Sequence, residues 1–137
     1  MAALPFLDTN ILLRHLLQDV PEQSSRASAY IRQVAQGTQK VRIAATVIFE
    51  TVFTLQRSYH VPKQDIAAAL LPLLELPGIV LPGKRLFRVA FEYYANLNIS
   101  FADAYHAALM KQLKLTDVVT FDRDFNRVPG ITRIEPS

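Results

Sequence analysis

Residues 99–122 read ISFADAYHAALMKQLKLTDVVTFD. The first half predicts a helix over Phe101 to Leu113, and its end, DVVTFD (117–122), is the clearest strand in the chain. The same alternation runs outward in both directions. ALPFL (3–7) predicts a short buried strand, followed by a helix over Asn10 to Leu17 and another from Pro21, a good first-turn residue, to about Ala35, which Gly37 ends. KVRIAA (40–45) predicts the second strand, TVIFETVFTLQRSY (46–59) a helix, and PKQDIAAALLPLLEL (62–76) a helix with a possible kink at Pro72. GIVLP (78–82) is a weak edge-strand candidate, Lys84 to Leu97 a helix with an aromatic face, and ITRIE (131–135) a last short strand after the turn at Pro129 and Gly130.

Strands alternating with helices of about ten residues or more imply right-handed crossovers and a mostly parallel sheet covered on both faces, an α/β fold. The 137 residues suit one domain, 1–137, with no repeat or linker. A chain of this length buries roughly two thirds of the surface its unfolded form exposes, so its core needs no disulfide or structural metal. Cys is absent, which excludes thiol catalysis and zinc-thiolate sites and suits a reducing cytoplasm. The start, MAALPFLDTN, has no basic segment and few apolar residues before Asp8, so neither a signal peptide nor a membrane span is expected.

Ligands on such sheets sit beyond the carboxyl ends of the strands. Asp8 follows the first strand and Asp122 closes DVVTFD, so both carboxylates emerge on one rim. Asp103 lies in the first turn of a helix that starts at that rim, where an acid also complements the helix dipole by about 0.3 to 1 kcal/mol. Glu50, one turn into the helix after the second strand, points to the same edge or else belongs to a solvated stripe with Thr46, Thr54 and Arg57. Two carboxylates about 4 Å apart repel by roughly 4 kcal/mol at an effective dielectric of 20, so such a cluster takes up protons or binds cations. Oxygen ligands alone select a hard ion, Mg²⁺ or Mn²⁺ before zinc, and that ion favours phosphate as a further ligand. The formal charge of +3 becomes +7 outside a four-acid site, 15 Lys and Arg against 8 acids, a balance that suits a polyanionic substrate.

The segments FLDTN, IFE, ISFADAYHAAL and VVTFDRDF resemble, in this order, the four signatures of the PIN-domain metal-dependent ribonucleases. The match runs from residue 6 to 125, and the compact size resembles the VapC-like toxin branch of type II toxin-antitoxin pairs. The resemblance implies a three-layer α/β/α sandwich, Mg²⁺-dependent endonucleolytic cleavage of RNA, a homodimer or higher oligomer, and a cognate antitoxin partner. It also implies that Asp8 and Asp103 are central metal ligands completed by Glu50 and Asp122, that Asn10 holds Asp8 by hydrogen bonding, and that Thr120 supports Asp122.

Asp124 has the same strand parity as Asp122 and is the competing choice; it falls where a turn is expected, and there an Asp caps the turn. His106 reads better as a packed helix histidine than as a substrate contact, and Tyr93 and Tyr94 better as a helix face than as a stacking platform. Lys84, Arg85, Arg88, Arg123 and Arg127 are candidate phosphate contacts. A phosphoryl-accepting Mg²⁺-binding signalling domain would need an Asp ending a middle strand, and KVRIAA ends without one. A non-catalytic binding module on the same fold is the third reading.

Overall fold

The computed structural model describes residues 3–137; Met1 and Ala2, the first two residues of the expected domain, lie outside the described residues. Among the described residues, six α-helices make up most of the length: α1 (Thr9–Leu17), α2 (Pro21–Gln36), α3 (Ala45–Arg57), α4 (Lys63–Leu74), α5 (Lys84–Asn96) and α6 (Phe101–Leu113). Between them run the short strands β1 (Val41–Arg42), β2 (Ile79–Val80), β3 (Asp117–Val119) and β4 (Thr132–Ile134), with a 3₁₀ turn at Arg123–Arg127.

Helix ends follow local chemistry. Pro21 opens α2 with no N–H to leave unpaired, and Gly37 closes it in the left-handed region at φ 80°, its amide turned back onto Gln33 and Val34 carbonyls. Ser100 caps α6: its hydroxyl accepts the Asp103 amide at 3.1 Å. Pro72 sits inside α4, where it removes one backbone donor from the ladder.

All strand pairings are parallel, as the alternation of elements requires. β1 lies between β2 and the first strand segment: Val41 pairs with Ile79, Arg42 with Val80, and Phe6 with Arg42. β3 and β4 form the second ladder, Asp117 opposite Thr132 through Val119 opposite Ile134. Among the described residues no strand pairing joins the two ladders.

The expected buried strand at 3–7 is therefore reduced to one bridged residue. Leu7 is buried and donates to the Arg42 carbonyl at 2.9 Å, but Phe6 is 57% exposed, because the segment pairs on one side only. DVVTFD likewise ends as a strand at Val119, beyond which Thr120 accepts the Asp122 amide at 2.9 Å and turns the backbone out of the ladder.

The core is built from one face of each helix, with Leu12, Ile48, Ile66, Leu70, Phe87 and Phe91 at its centre. An aromatic cluster fixes α6 in place. Phe49 of α3 meets the rings of Phe101 and Tyr105 at 5.1 and 5.0 Å, and Phe101 meets Phe91 of α5 at 4.7 Å. These edge-on and tilted contacts hold the turn that carries Glu50 against the turn that carries Asp103.

Candidate active site

Three acids meet at the N-terminal end of α6. Asp103, Asp122 and Asp124 each offer a carboxylate oxygen, and these oxygens lie within 4.8 Å of one another. Each is placed by its own local structure. Asp103 is on the first turn of a capped helix, Asp122 follows β3, and Asp124 is in the 3₁₀ turn behind it.

Asp122 Oδ1 accepts the Asp124 amide at 2.9 Å, so Asp122 is the cap of this turn and Asp124 is not. The expectation that Asp124 caps the turn is corrected on that point: the strand stops three residues earlier than DVVTFD suggests, and the turn begins at Arg123. Asp124 instead pairs with Arg127 at 2.7 Å, and Arg127 also reaches the Asn98 carbonyl at 2.9 Å.

The electrostatics match an anionic cluster. The Asp103 carboxyl is pushed above the ordinary aspartate range, first by partial burial, then by a hydrogen bond to Asp122 and repulsion from its charge. Ser100 and His106 oppose that rise. The Lys63 ammonium is close enough to feel the charge of Asp124; it donates to the Ile99 carbonyl at 2.6 Å and stands 5.0 Å from the centre of the Tyr94 ring. Burial lowers the Lys63 pKa; the charge of Asp124 counters this and that of Arg127 adds to it. Lys63 could not be found in the sequence, since 36 residues separate it from the carbonyl it holds.

Asp8 and Glu50 stand outside the three-acid group. Asp8 takes the N-cap position of α1 in extended backbone (φ −89°, ψ 159°) without a side-chain cap bond. It lines a cavity of about 600 Å³ with Asn10, Arg14 and Tyr30, and among the described residues no hydrogen bond joins Asn10 to Asp8. Glu50 is exposed and lines a cavity of about 800 Å³ that Ser100, Phe101 and Ala102, the residues just before Asp103, also line. Thr120 touches the cluster through its bond to the Asp122 amide.

Other candidates resolve differently. His106 is exposed rather than packed, whereas Tyr94 is fully buried, its hydroxyl bonded to Gln56 and its pKa raised by burial to about 12. Arg88 is held by Glu75 at 3.1 Å, and Lys84 by the Leu76 carbonyl at 3.2 Å. β1 ends at Arg42 with no acid to accept a phosphoryl group.

The PIN domain family model matches residues 6–131, a span that takes in every one of these elements up to the turn before β4. The chain belongs to the PIN domain family. Among curated proteins, this PIN domain is similar to the VapC ribonuclease of Aquifex aeolicus (strain VF5), 26% identical over 132 residues, which cover 95% of each chain. Among the described residues of the PIN domain, no helix is long and apolar enough to cross a membrane.

Proposed function

We propose that this PIN domain is a metal-dependent endoribonuclease, the toxin of a toxin-antitoxin pair, acting in the cytoplasm on RNA phosphodiester bonds. The observation that carries this reading is the meeting of Asp103, Asp122 and Asp124 within 4.8 Å. The similarity to a VapC ribonuclease along nearly the whole chain supports the same activity class and, with it, an antitoxin partner and self-association.

The donor set fits a hard divalent cation. All three atoms are carboxylate oxygens and the chain has no Cys; burial first, then a hydrogen bond to Asp122 and the charge of Asp122, raise the Asp103 pKa, and a cation would relieve the last of these. Asp103 and Asp122 would hold Mg²⁺ or Mn²⁺, with Asp8 and Glu50 completing the acidic set and Asp124 joining it from the 3₁₀ turn. When bound, such a cation supplies Lewis-acid activation of water and neutralises charge on the departing oxygen. The protein's part is positional. Ser100 fixes the first turn of α6, Thr120 fixes the backbone of Asp122, and the Asp122 carboxylate fixes the turn that presents Asp124. Lys63 places a cation beside the acids, where it can meet a phosphate.

The test is incubation of purified protein with structured and unstructured RNAs, with and without Mg²⁺, beside Asp8→Asn and Asp103→Asn controls. Mg²⁺-dependent cleavage lost in both variants is the expected result. Cleavage that persists in Asp103→Asn, or that ignores chelation, overturns the reading.

A further inference from the structure

We propose that the groove between α3 and the start of α6 is a binding subsite for a single unstacked RNA nucleotide, with its base against Phe53 and its phosphate on Arg57 and His60. This rests on the ribonuclease reading, to which it adds where the strand lies.

The groove has a cavity of about 800 Å³, within the range of about 300 to 1,000 Å³ usual for small-ligand sites. Its wall on α3 carries Glu50, Phe53 and Arg57, with His60 just beyond the helix, and its other wall is Ser100 to Ala102, so it opens onto the turn that carries Asp103. Phe53 is 61% exposed on a helix whose other face is core, so its ring is open to a ligand in the groove. Arg57 lies one turn on, its guanidinium carbon 5.6 Å from the centre of the Phe53 ring. Among the described residues Arg57 has no ion pair, and His60 ends the same segment exposed and without a side-chain hydrogen bond.

The platform is also rigid. Gln56, between Phe53 and Arg57 in sequence, is bonded to the buried Tyr94 hydroxyl, which ties this turn of α3 to α5. An open ring with a guanidinium over it that has no ion pair among the described residues is the pairing by which single-stranded nucleic acid is bound: stacking on the ring and phosphate on the guanidinium, with the His60 ring nearby as a further hydrogen-bonding group. RNA is therefore the occupant favoured, and a base must be unstacked to reach it.

The experiment measures binding of a short fluorophore-labelled single-stranded oligoribonucleotide without divalent metal, and its cleavage with Mg²⁺, for wild type, Phe53→Ala, Phe53→Trp and Arg57→Gln. Loss of one stacked base should weaken binding by roughly 5- to 100-fold in Phe53→Ala. KM should rise accordingly, with kcat at saturating RNA near wild type. Arg57→Gln should weaken binding and reduce the slope of log affinity against log salt by about 0.7. The chain has no Trp, so Phe53→Trp introduces a single emitter that should keep affinity and be quenched on addition of RNA. The duplex form of the same RNA should bind less well than the single strand.

RNA affinity and KM unchanged in both Phe53→Ala and Arg57→Gln overturn the subsite, as does Trp emission indifferent to saturating RNA. A change of molar mass by light scattering in Phe53→Ala, with RNA affinity intact, also overturns it and makes the groove a protein interface. A wild type that binds RNA through Phe53 but never cleaves it supports the subsite while removing the ribonuclease reading.

Discussion

The Oδ1 atom of Asp122 accepts the backbone amide of Asp124 at 2.9 Å, while the carboxylates of both residues face Asp103 within 4.8 Å. One acid thus has two duties, capping the turn and facing the site, and the other has a competing partner in Arg127 at 2.7 Å. Substitutions at the two positions should separate these roles.

Asp122→Asn keeps an oxygen that can accept the Asp124 amide, so the turn should survive while charge is lost. Metal-dependent cleavage is expected to fall by about a hundredfold, the range for losing a positioned catalytic group. Asp122→Ala should lose the cap as well, at a further cost of about 1 kcal/mol in a urea melt. Asp124→Asn weakens an exposed pair worth about 1 kcal/mol or less and should affect cleavage less. If Asp124→Asn proves to be the crippled variant, the principal ligand lies in the 3₁₀ turn and not at the end of β3.

The raised Asp103 pKa sets a pH dependence of stability in the metal-free protein. The folded state holds the Asp103 proton to a higher pH than the unfolded chain, whose ordinary value is 3.8. Stability from this group is therefore present below that value and is lost as pH rises through the raised folded pKa. Asp103→Asn should remove that loss, melting at or above wild type at neutral pH without metal. Wild type should gain melting temperature with Mg²⁺ or Mn²⁺ according to occupancy, and the variant should not. A wild-type melt indifferent to millimolar Mg²⁺ would count against a shared cation site.

Helix α6 was legible to the residue, because its helical run and the acid in its first turn are local signals that tertiary structure had no reason to override. Asp103 was legible as a first-turn residue for the same reason, whereas Asp122, read as the end of a strand, caps the 3₁₀ turn beyond it. The strands were not legible. Val119 and Phe121 have the composition of a buried strand, yet they are 67% and 73% exposed, since pairing stops on one side and a local turn competes after Thr120. The place of Asp124 in the cluster was half visible in its parity with Asp122; the 3₁₀ turn that brings it there was not. Lys63 and the groove beside Glu50 depend on contacts between distant segments, for which a single chain has no local sign.

Gly78 offers a test of the fold apart from the site. It precedes β2, and its carbonyl accepts the Val41 amide at 2.8 Å, so this residue sets where β2 meets β1. A Cβ there would run into the Gln39 carbonyl, and would stand 2.7 Å from the Val34 carbonyl and 2.9 Å from Val34 Cγ1. Two of these three obstacles are backbone and cannot rotate away. Gly78→Ala should therefore destabilise by about 1–3 kcal/mol or more, read as a lowered urea midpoint. An unchanged midpoint would mean that the loop before β2 shifts freely.

Glu50 is the acid whose role the geometry constrains least, and one substitution separates its two readings. It is exposed on α3, on the same helix as exposed Thr46 and Arg57, which is where a solvated polar stripe would run. It also lines the cavity whose opposite wall is Ser100 to Ala102, the approach to Asp103, and the Phe49 ring beside it is packed on Phe101 and Tyr105. In either case the side chain is on the surface, so Glu50→Gln should change stability by no more than about 0.5 kcal/mol. Activity is the discriminating readout. As a solvated residue its loss leaves cleavage at the wild-type rate; as a carboxylate supporting the cation from the edge of the site, its loss should cost about 10- to 100-fold in metal affinity or turnover. We expect the second outcome, with a shifted Mg²⁺ titration midpoint in the variant. Wild-type turnover and an unmoved midpoint in a folded Glu50→Gln protein would take Glu50 out of the acidic set and leave cation binding to Asp103, Asp122 and Asp124 with Asp8.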